Sequence, residues 1–450
     1  MARYRLFGSK RLAKASLDVS VAAAPAVSSA DTAFSHNSRA SAAAVAELSQ
    51  SLEFVLDELD GQDGQAPACY YHSPVSTSAD GPGDVLQLHL DRLADEAAKY
   101  SNATLDEDDA QEWTWSPDTA HLVRVACQCA NLAYTARLGP YRDDDDDDED
   151  LVCVASSPAS VAGTNKAFSL WRADALKALV VAVRGTRAIP DHAVNLNSDL
   201  CDASAVPTLA QNMPPGIAAH SGFVSCAKAI MPKVQHEINC HVAAAAAAVP
   251  IQQIIFTGHS AGGAVASLLF LSMAAAKCPS HLKVSLVTFG SAPVTASDTT
   301  PLVRTLSNVG TVLALVNEFD MVPRADKAYI QSVIDLYRSR YGLASLHHCD
   351  TPGETAAQGP VWPLPTSPLH LVGDIIMSKR IFRPEFGQGP YKMFNVPHDI
   401  FGQLLFTGLA EHKRKVYLER FRSGLEVEGS WSEASTLRAA ESHYSKRSTF

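Results

Sequence analysis

Apolar positions along the chain change their spacing near residue 150. Before it they recur at helical intervals. In "VAELSQSLEFVLDELD", Leu48, Leu52, Val55 and Leu56 share one helical face. "VLQLHLDRLADEAAKYS" reads as a second helix. "SPDTAHLVRVACQCANLAYTARLG" reads as a third, with Ser116 as N-cap, Pro117 in the first turn and Gly139 at the C-terminal end. The stretch "DGQDGQAPACYYHSPVSTSADGPGD" reads as loop. After residue 150 the apolar runs become short and continuous: "KAFSLWRAD", "KALVVAVRGT", "QQIIFTG", "KVSLVTFG" and "TVLALVNEFD". The helical stretch "HSGFVSCAKAIMPKVQHEINCHVAAAAAA" and a second after Ser260 fall between them. Short apolar strands alternating with helices predict an α/β fold, a mostly parallel central sheet flanked by helices.

The pattern divides the chain into an Ala/Ser-rich, basic arm over 1–45, expected to be disordered, and a helical extension over 46–115. The α/β domain is expected over 116–425, with an acidic loop at 142–150 and a Pro/Gly-rich insertion at about 325–395. A polar tail is expected over 426–450. The formal net charge of -11 argues against nucleic acid as the main partner. Part of that charge is one run, "DDDDDDED" from Asp143 to Asp150, read as a solvated loop. Nine cysteines are scattered without a CxxC pair, which predicts reduced, buried thiols and no metal site. No apolar run is long enough to cross a bilayer. The first residues hold Arg3, Arg5, Lys10, Arg11 and Lys14, with no acid before Asp18 and no apolar core of a secretory signal. An intracellular, cytoplasmic chain with peripheral membrane association is expected, an organelle-targeting arm being the alternative. No feature names a protein partner.

Candidate chemistry centres on "TGHSAGG". Gly258, His259, Ser260, Ala261 and Gly262 fit G-x-S-x-G between a predicted strand and a predicted helix. A sharp turn there raises the Ser260 hydroxyl, and glycines at 258 and 262 remove side chains that would collide. The next backbone N–H, that of Ala261, sits at a helix N-terminus and suits a developing oxyanion. Thr186, ending the strand "ALVVAVRG", could add its N–H and hydroxyl. Serine needs a histidine base and an acid to orient it. Asp320 follows at the end of an apolar strand. His347, His348, His370, His398 and His412 lie beyond it. His259 is adjacent to Ser260 and is expected to pack under the turn.

Several segments together resemble the class 3, fungal-type lipases: "VVAVRGT", "HSGF", "TGHSAGGAVASL", "VTFGSAPV" and "NEFDMVPR", in that order. The resemblance spans about residues 118–325, with Ala261 where leucine is commoner. It implies an α/β-hydrolase fold and hydrolysis of acyl esters in mono-, di- or triacylglycerols, with no cofactor. It also implies a lipid substrate met at a membrane or droplet surface. It carries over Ser260 as nucleophile, Asp320 as acid, and Thr186 with the Ala261 N–H as oxyanion donors. The placement of His412, after an acidic residue and before an aromatic one, resembles the base of the diacylglycerol-lipase branch. His398, beside Asp399, is the rival. "RAIPDHAVNLNSDL" occupies the family's lid position, and the 325–395 insertion is a second candidate for that role. A non-catalytic lipase-like signalling protein and an acyltransferase are the alternative readings.

Overall fold

A computed structural model of the protein describes residues 82–143, 146–159, 166–185, 199–203, 217–245, 250–276, 282–346, 353–355, 359–381 and 391–422. The basic arm, the helix expected over 45–60, Thr186, the stretch 187–198, His347, His348 and the tail over 426–450 lie outside the described residues.

The strands, in chain order, are β1 (Gln111–Trp113), β2 (Gly139–Asp143), β3 (Asp146–Ser157), β4 (Phe168–Ala173), β5 (Ala178–Val183), β6 (Leu200–Asp202) and β7 (Ala218–His220). They continue with β8 (Gln253–His259), β9 (Lys283–Phe289), β10 (Val309–Asn317), β11 (Gly353–Thr355), β12 (Gly359–Val361), β13 (Asp374–Arg380) and β14 (Tyr391–Val396). Ten of them form one sheet in the order β1-β14-β13-β10-β9-β8-β5-β4-β3-β2. The middle strands β5, β8, β9, β10 and β13 run parallel, and the flanking pairs are antiparallel. This is the mostly parallel sheet flanked by helices that the apolar pattern predicts.

The main helices are α1 (Pro82–Ala97), α2 (Pro117–Leu132), α3 (Ser221–Ala245), α4 (Ala261–Ala275), α5 (Lys327–Ser339) and α6 (Arg414–Arg422). The period-2 geometry of a strand explains the layers. Leu179, Val181, Ile254 and Phe256 face one side and share a core with α3 and α4. Val180, Ala182 and Ile255 face the other and share a core with α2, Tyr417 and Phe421. Both faces are therefore covered, which is why β5 is buried along its whole length. Helix α4 is buried on every side, in keeping with a sequence that is apolar all round. Ser116 caps α2, its side chain accepting from the Thr119 N–H.

Two expectations change. Helix α2 ends at Leu132, and Gly139 opens β2 with φ +116° instead of closing the helix. The acidic run is not one loop: Asp143 ends β2, and Asp146–Asp150 begin β3, paired at Asp143↔Asp146. The strand-forming "LVCVASS" extends backward by main-chain pairing into β2, an edge strand of the sheet, where charged residues are well tolerated. The Pro/Gly-rich stretch 325–395 is built in part from regular elements. It contributes α5 and the sheet strand β13, and β14 begins inside it and pairs with β13.

Residues before the predicted domain are stitched into it. Strand β1 pairs with β14. The Asn102 side chain donates to the carbonyls of Trp362 (3.0 Å) and Gln403 (2.9 Å) and accepts from the Trp362 N–H (3.0 Å). Among the described residues no helix is long and apolar enough to cross a membrane. Cys127, Cys129, Cys153 and Cys226 are buried, Cys201 is half-buried and Cys240 is exposed.

Asn102→Ala removes all three bonds at once and leaves their partners to water or to burial. It is expected to cost about 2 kcal/mol. Urea unfolding should show a lower midpoint at an unchanged slope. An unchanged midpoint would mean that this extension only rests on the domain.

Candidate active site

Strand β8 delivers its last residues to the carboxyl end of the sheet, and the chain turns at once into α4. Ser260 takes φ +58° and ψ -133°, a strained conformation for a residue with a Cβ, of order 1–3 kcal/mol. Its N–H donates to the Phe289 carbonyl (3.0 Å), and its own carbonyl starts the helix by accepting from Gly263 N–H (2.9 Å). The glycines are needed because the backbones touch. A Cβ at Gly258 would sit 2.5 Å from the Gly262 carbonyl carbon. One at Gly262 would sit 2.3 Å from the Val183 oxygen and 2.7 Å from the Gly185 nitrogen. The helix start that holds Ala261 thus lies against Gly185, the last described residue before Thr186.

The acid arises on the strand two places away in the sheet. After β10 a tight turn carries Asp320, whose N–H donates back to the Asn317 carbonyl (3.1 Å). Asp320 has 0% of its surface exposed. Its Oδ1 accepts from the Val322 N–H (2.9 Å). Its Oδ2 accepts from the Tyr417 hydroxyl (2.7 Å) and from His412 Nδ1 (2.9 Å). The segment 319–321 pairs with Gly408: Met321 N–H donates to the Gly408 carbonyl (3.0 Å), and Gly408 N–H to the Phe319 carbonyl (2.8 Å). Phe319 holds φ +73° in this turn. Gly290, at φ +53°, leaves the room that Tyr417 and Asp320 fill, since a Cβ there would lie 2.9 Å from the Tyr417 oxygen and 3.0 Å from Asp320 Oδ2.

His412 closes a short helical turn just before α6 and is 1% exposed. A carboxylate at Nδ1 sets that nitrogen as the protonated one and leaves Nε2 as the basic atom. The main chain around it is held twice. Asn317 Nδ2 donates to the Glu411 carbonyl (2.9 Å), and His259 Nε2 to the His412 carbonyl (2.8 Å). The His259 and His412 rings lie 4.6 Å apart. Burial, and then the charge of nearby His412, holds the His259 imidazole well below its ordinary value. The Tyr417 phenol is pushed well above its ordinary value by burial and then by Asp320, so it stays a donor. Asn317 N–H donates to its oxygen (3.0 Å).

The two histidine candidates therefore stand in different places. His412 meets Asp320 and, through His259, the residue next to Ser260. His398 Nε2 is 3.0 Å from the Gly373 carbonyl, 3.5 Å from Thr300 Oγ1 and 3.7 Å from Asp298 Oδ1. Its ring is 6.1 Å from that of His370. Residue types alone do not reveal Tyr417, Asn317, Gly290 or the bond from His259, because each acts across a long sequence gap. His259 does more than pack under the turn.

Residues 180–329, a third of the chain, match the family described as Lipase (class 3). The chain carries a class 3 lipase region. Lipases are carboxylic ester hydrolases, and the region makes the chain one. It runs from β5 into α5 and holds Gly258, Ser260, Ala261, Gly262 and Asp320, while both histidine candidates lie beyond it. Among solved structures, the Lip2 lipase from Yarrowia lipolytica is 13% identical, with 69% of this chain and 96% of that one covered and a TM-score of 0.45. The mono- and diacylglycerol lipase from Aspergillus oryzae is 15% identical, covering 69% of this chain and 99% of that one, with a TM-score of 0.41. The Rhizomucor miehei lipase with its propeptide is 16% identical, covering 70% and 91%, with a TM-score of 0.42. No curated protein matches the chain.

The buried His259 couples the class 3 lipase region to pH. The folded protein excludes a proton there that the unfolded chain binds below about pH 6.5. Its contribution to stability is complete above that pH and is lost as the pH falls. His259→Gln keeps a donor for the His412 carbonyl and removes the titration. Below about pH 6.5 its stability should fall less steeply than that of the parent, by up to about 1.4 kcal/mol per pH unit. Parallel unfolding profiles for the two proteins would contradict the burial argument.

Proposed function

We propose that the chain hydrolyses acyl esters of glycerolipids with Ser260 as nucleophile, His412 as base and Asp320 as the acid that orients it. The contact of His412 Nδ1 with the buried Asp320 carboxylate carries this reading, beside the strained turn at Ser260. A serine hydroxyl becomes a useful nucleophile only when a base removes its proton during attack. In this scheme Ser260 Oγ adds to the ester carbonyl as its proton passes to His412 Nε2. The same proton then goes to the departing glycerol oxygen as the tetrahedral adduct collapses to an acyl-enzyme. Water repeats the sequence: His412 takes its proton, the fatty acid leaves, and the proton returns to Ser260. Asp320 stabilises the imidazolium at each stage without taking the proton itself. The Ala261 N–H at the start of α4 and Thr186 at the end of the β5 segment are the oxyanion donors, a role worth about 3–4 kcal/mol for a single such donor elsewhere. Contact with a membrane or droplet surface, and with it a peripheral location, belongs to the same reading.

Ser260→Ala is expected to abolish labelling by a fluorophosphonate probe and turnover of a short-chain ester, with the fold retained by circular dichroism. His412→Ala should lower kcat at least about a thousandfold. His398→Ala should leave kcat unchanged. Retained activity in His412→Ala would sink the assignment of the base. A parent protein that neither labels nor cleaves the ester would sink the hydrolase itself.

A further inference from the structure

Four residues outside the Ser260, Asp320 and His412 set join Asp320 to His412 a second time. Asn317, at the end of β10, starts the connection. Its main-chain N–H donates to the Tyr417 hydroxyl (3.0 Å), and its Nδ2 donates to the Glu411 carbonyl (2.9 Å). Tyr417 and Arg420 are three residues apart on α6 and therefore neighbours on its surface. Arg420 Nη2 donates to Glu411 Oε2, which returns to the residue that Asn317 holds. The four residues thus form a closed ring: Asn317, Tyr417, Arg420, Glu411 and back to Asn317. Tyr417 also donates to Asp320 Oδ2 (2.7 Å), and Glu411 is linked to His412 by a peptide bond. One helix therefore holds Asp320 through Tyr417 and the main chain before His412 through Arg420.

Arg420 is the member of the ring whose burial calls for a reason. It is 7% exposed, and a guanidinium taken out of water needs a counter-charge. The half-buried Glu411 carboxylate supplies it. Arg420 Nε finds no acceptor among the described residues. The guanidinium is located instead by the Tyr391 ring, 4.5 Å from its carbon to the ring centre. Tyr391 opens β14 and is itself fixed from β13: Arg380 Nε donates to its hydroxyl (3.0 Å), with the Arg380 guanidinium 4.9 Å from the same ring. An exposed ion pair between two mobile side chains contributes little. Here one partner is buried and stacked against the sheet, so its bond to Glu411 has a fixed direction.

We propose that Arg420 and Glu411 are positioning residues for ester hydrolysis: the buried arginine holds the residue before His412 and so sets the His412 ring against Asp320. They act through the main chain and through α6. The same helix turn that donates to the carboxylate also fixes the histidine that meets it, so the two cannot drift apart independently. The proposal rests on the reading of His412 as the base. Its test separates the two.

Full-length variants are assayed on a soluble short-chain ester, with folding checked by circular dichroism and urea unfolding. Arg420→Met fills similar space and removes the planar fork. It is expected to lower kcat between about tenfold and a hundredfold with KM within about twofold, because a displacement of order 1 Å at the base costs turnover and not binding. Glu411→Ala, at a half-buried position, should lower kcat to a similar extent. Arg420→Lys keeps the charge without the fork and should recover part of the loss. Arg420→Met combined with Glu411→Ala should be no slower than Arg420→Met alone, since both break one link, whereas independent losses would multiply. If Arg420→Met does not fold, Glu411→Ala and Arg420→Lys decide the matter. Unchanged kcat in Glu411→Ala, or losses that multiply in the double variant, overturn the proposal. A raised KM at unchanged kcat overturns it too and assigns the pair to substrate binding. His412→Ala is scored separately. Retained activity there removes the reading of the base and this proposal with it, whereas lost activity there beside an unchanged Glu411→Ala removes this proposal alone.

Discussion

A carboxylate with no surface in contact with water has lost a hydration shell worth several kcal/mol, and only well-placed donors offset that loss. Asp320 is such a group. Its three donors come from three places: the Val322 main chain in its own turn, the Tyr417 hydroxyl on α6 and the His412 ring. Remove one and the others must cover a buried charge at close range. The carboxyl end of β10, the turn before α6 and α6 itself are therefore held in one arrangement. The space for that arrangement is set by Gly290, just after the neighbouring strand β9, where a Cβ would strike both Tyr417 and Asp320. Asp320 thus does more than contact an imidazole. It is the junction through which the C-terminal helix is tied to the sheet.

A second junction ties His412 to the strand that ends beside Ser260. His259 is the last residue of β8, and its bond to the His412 main-chain carbonyl links the two elements while leaving both His412 ring nitrogens uninvolved in that bond. Burial keeps it uncharged beside the His412 ring, so the two imidazoles do not both carry charge at close range. The strain at Ser260 has a matching support. Its N–H is fixed on Phe289, and the glycines at 258 and 262 let two backbones approach more closely than any side chain allows. Local strain persists where neighbouring contacts over-determine the geometry, and this turn has contacts on both sides.

What was legible in the sequence follows from the range of the interactions. The serine turn and the parallel strands are local patterns, so G-x-S-x-G between an apolar strand and an apolar helix could be read directly. Asp320 could be read from its place after a strand. The choice between His412 and His398 could not, because both have an acid beside them in the chain. What separates them in space is a bond across 92 residues. Tyr417 is legible only as an aromatic following His412; its bond to Asp320, like the bonds of Asn317, crosses a gap that no periodicity records. The acidic run was misread for the opposite reason. Its composition is that of a solvated loop, but main-chain pairing with β2 is indifferent to side-chain charge, and the edge of a sheet tolerates it. In residues 325–395 the apolar run "DIIMS" supplies a buried strand inside a stretch rich in Pro and Gly.

The N-terminal extension illustrates how far the acid's scaffold reaches. Glu318, two residues before Asp320, is buried, and burial raises its carboxyl above the ordinary range. It accepts from the Leu105 N–H at 3.0 Å, while Lys379 on β13 donates to the Leu105 carbonyl at 2.6 Å. A segment that precedes the class 3 lipase region by more than seventy residues is thereby clamped between the turn that carries the acid and the strand beside it. Such a clamp has no value for a free linker, whose backbone could be satisfied by water alone. It has value where the turn after β10 must not move. The Phe319–Asp320 pair sits in that turn with one residue forced into a left-handed conformation and the other wholly buried. Holding it from the Glu318 side as well as from Gly408 leaves the carboxylate one position in which to meet His412.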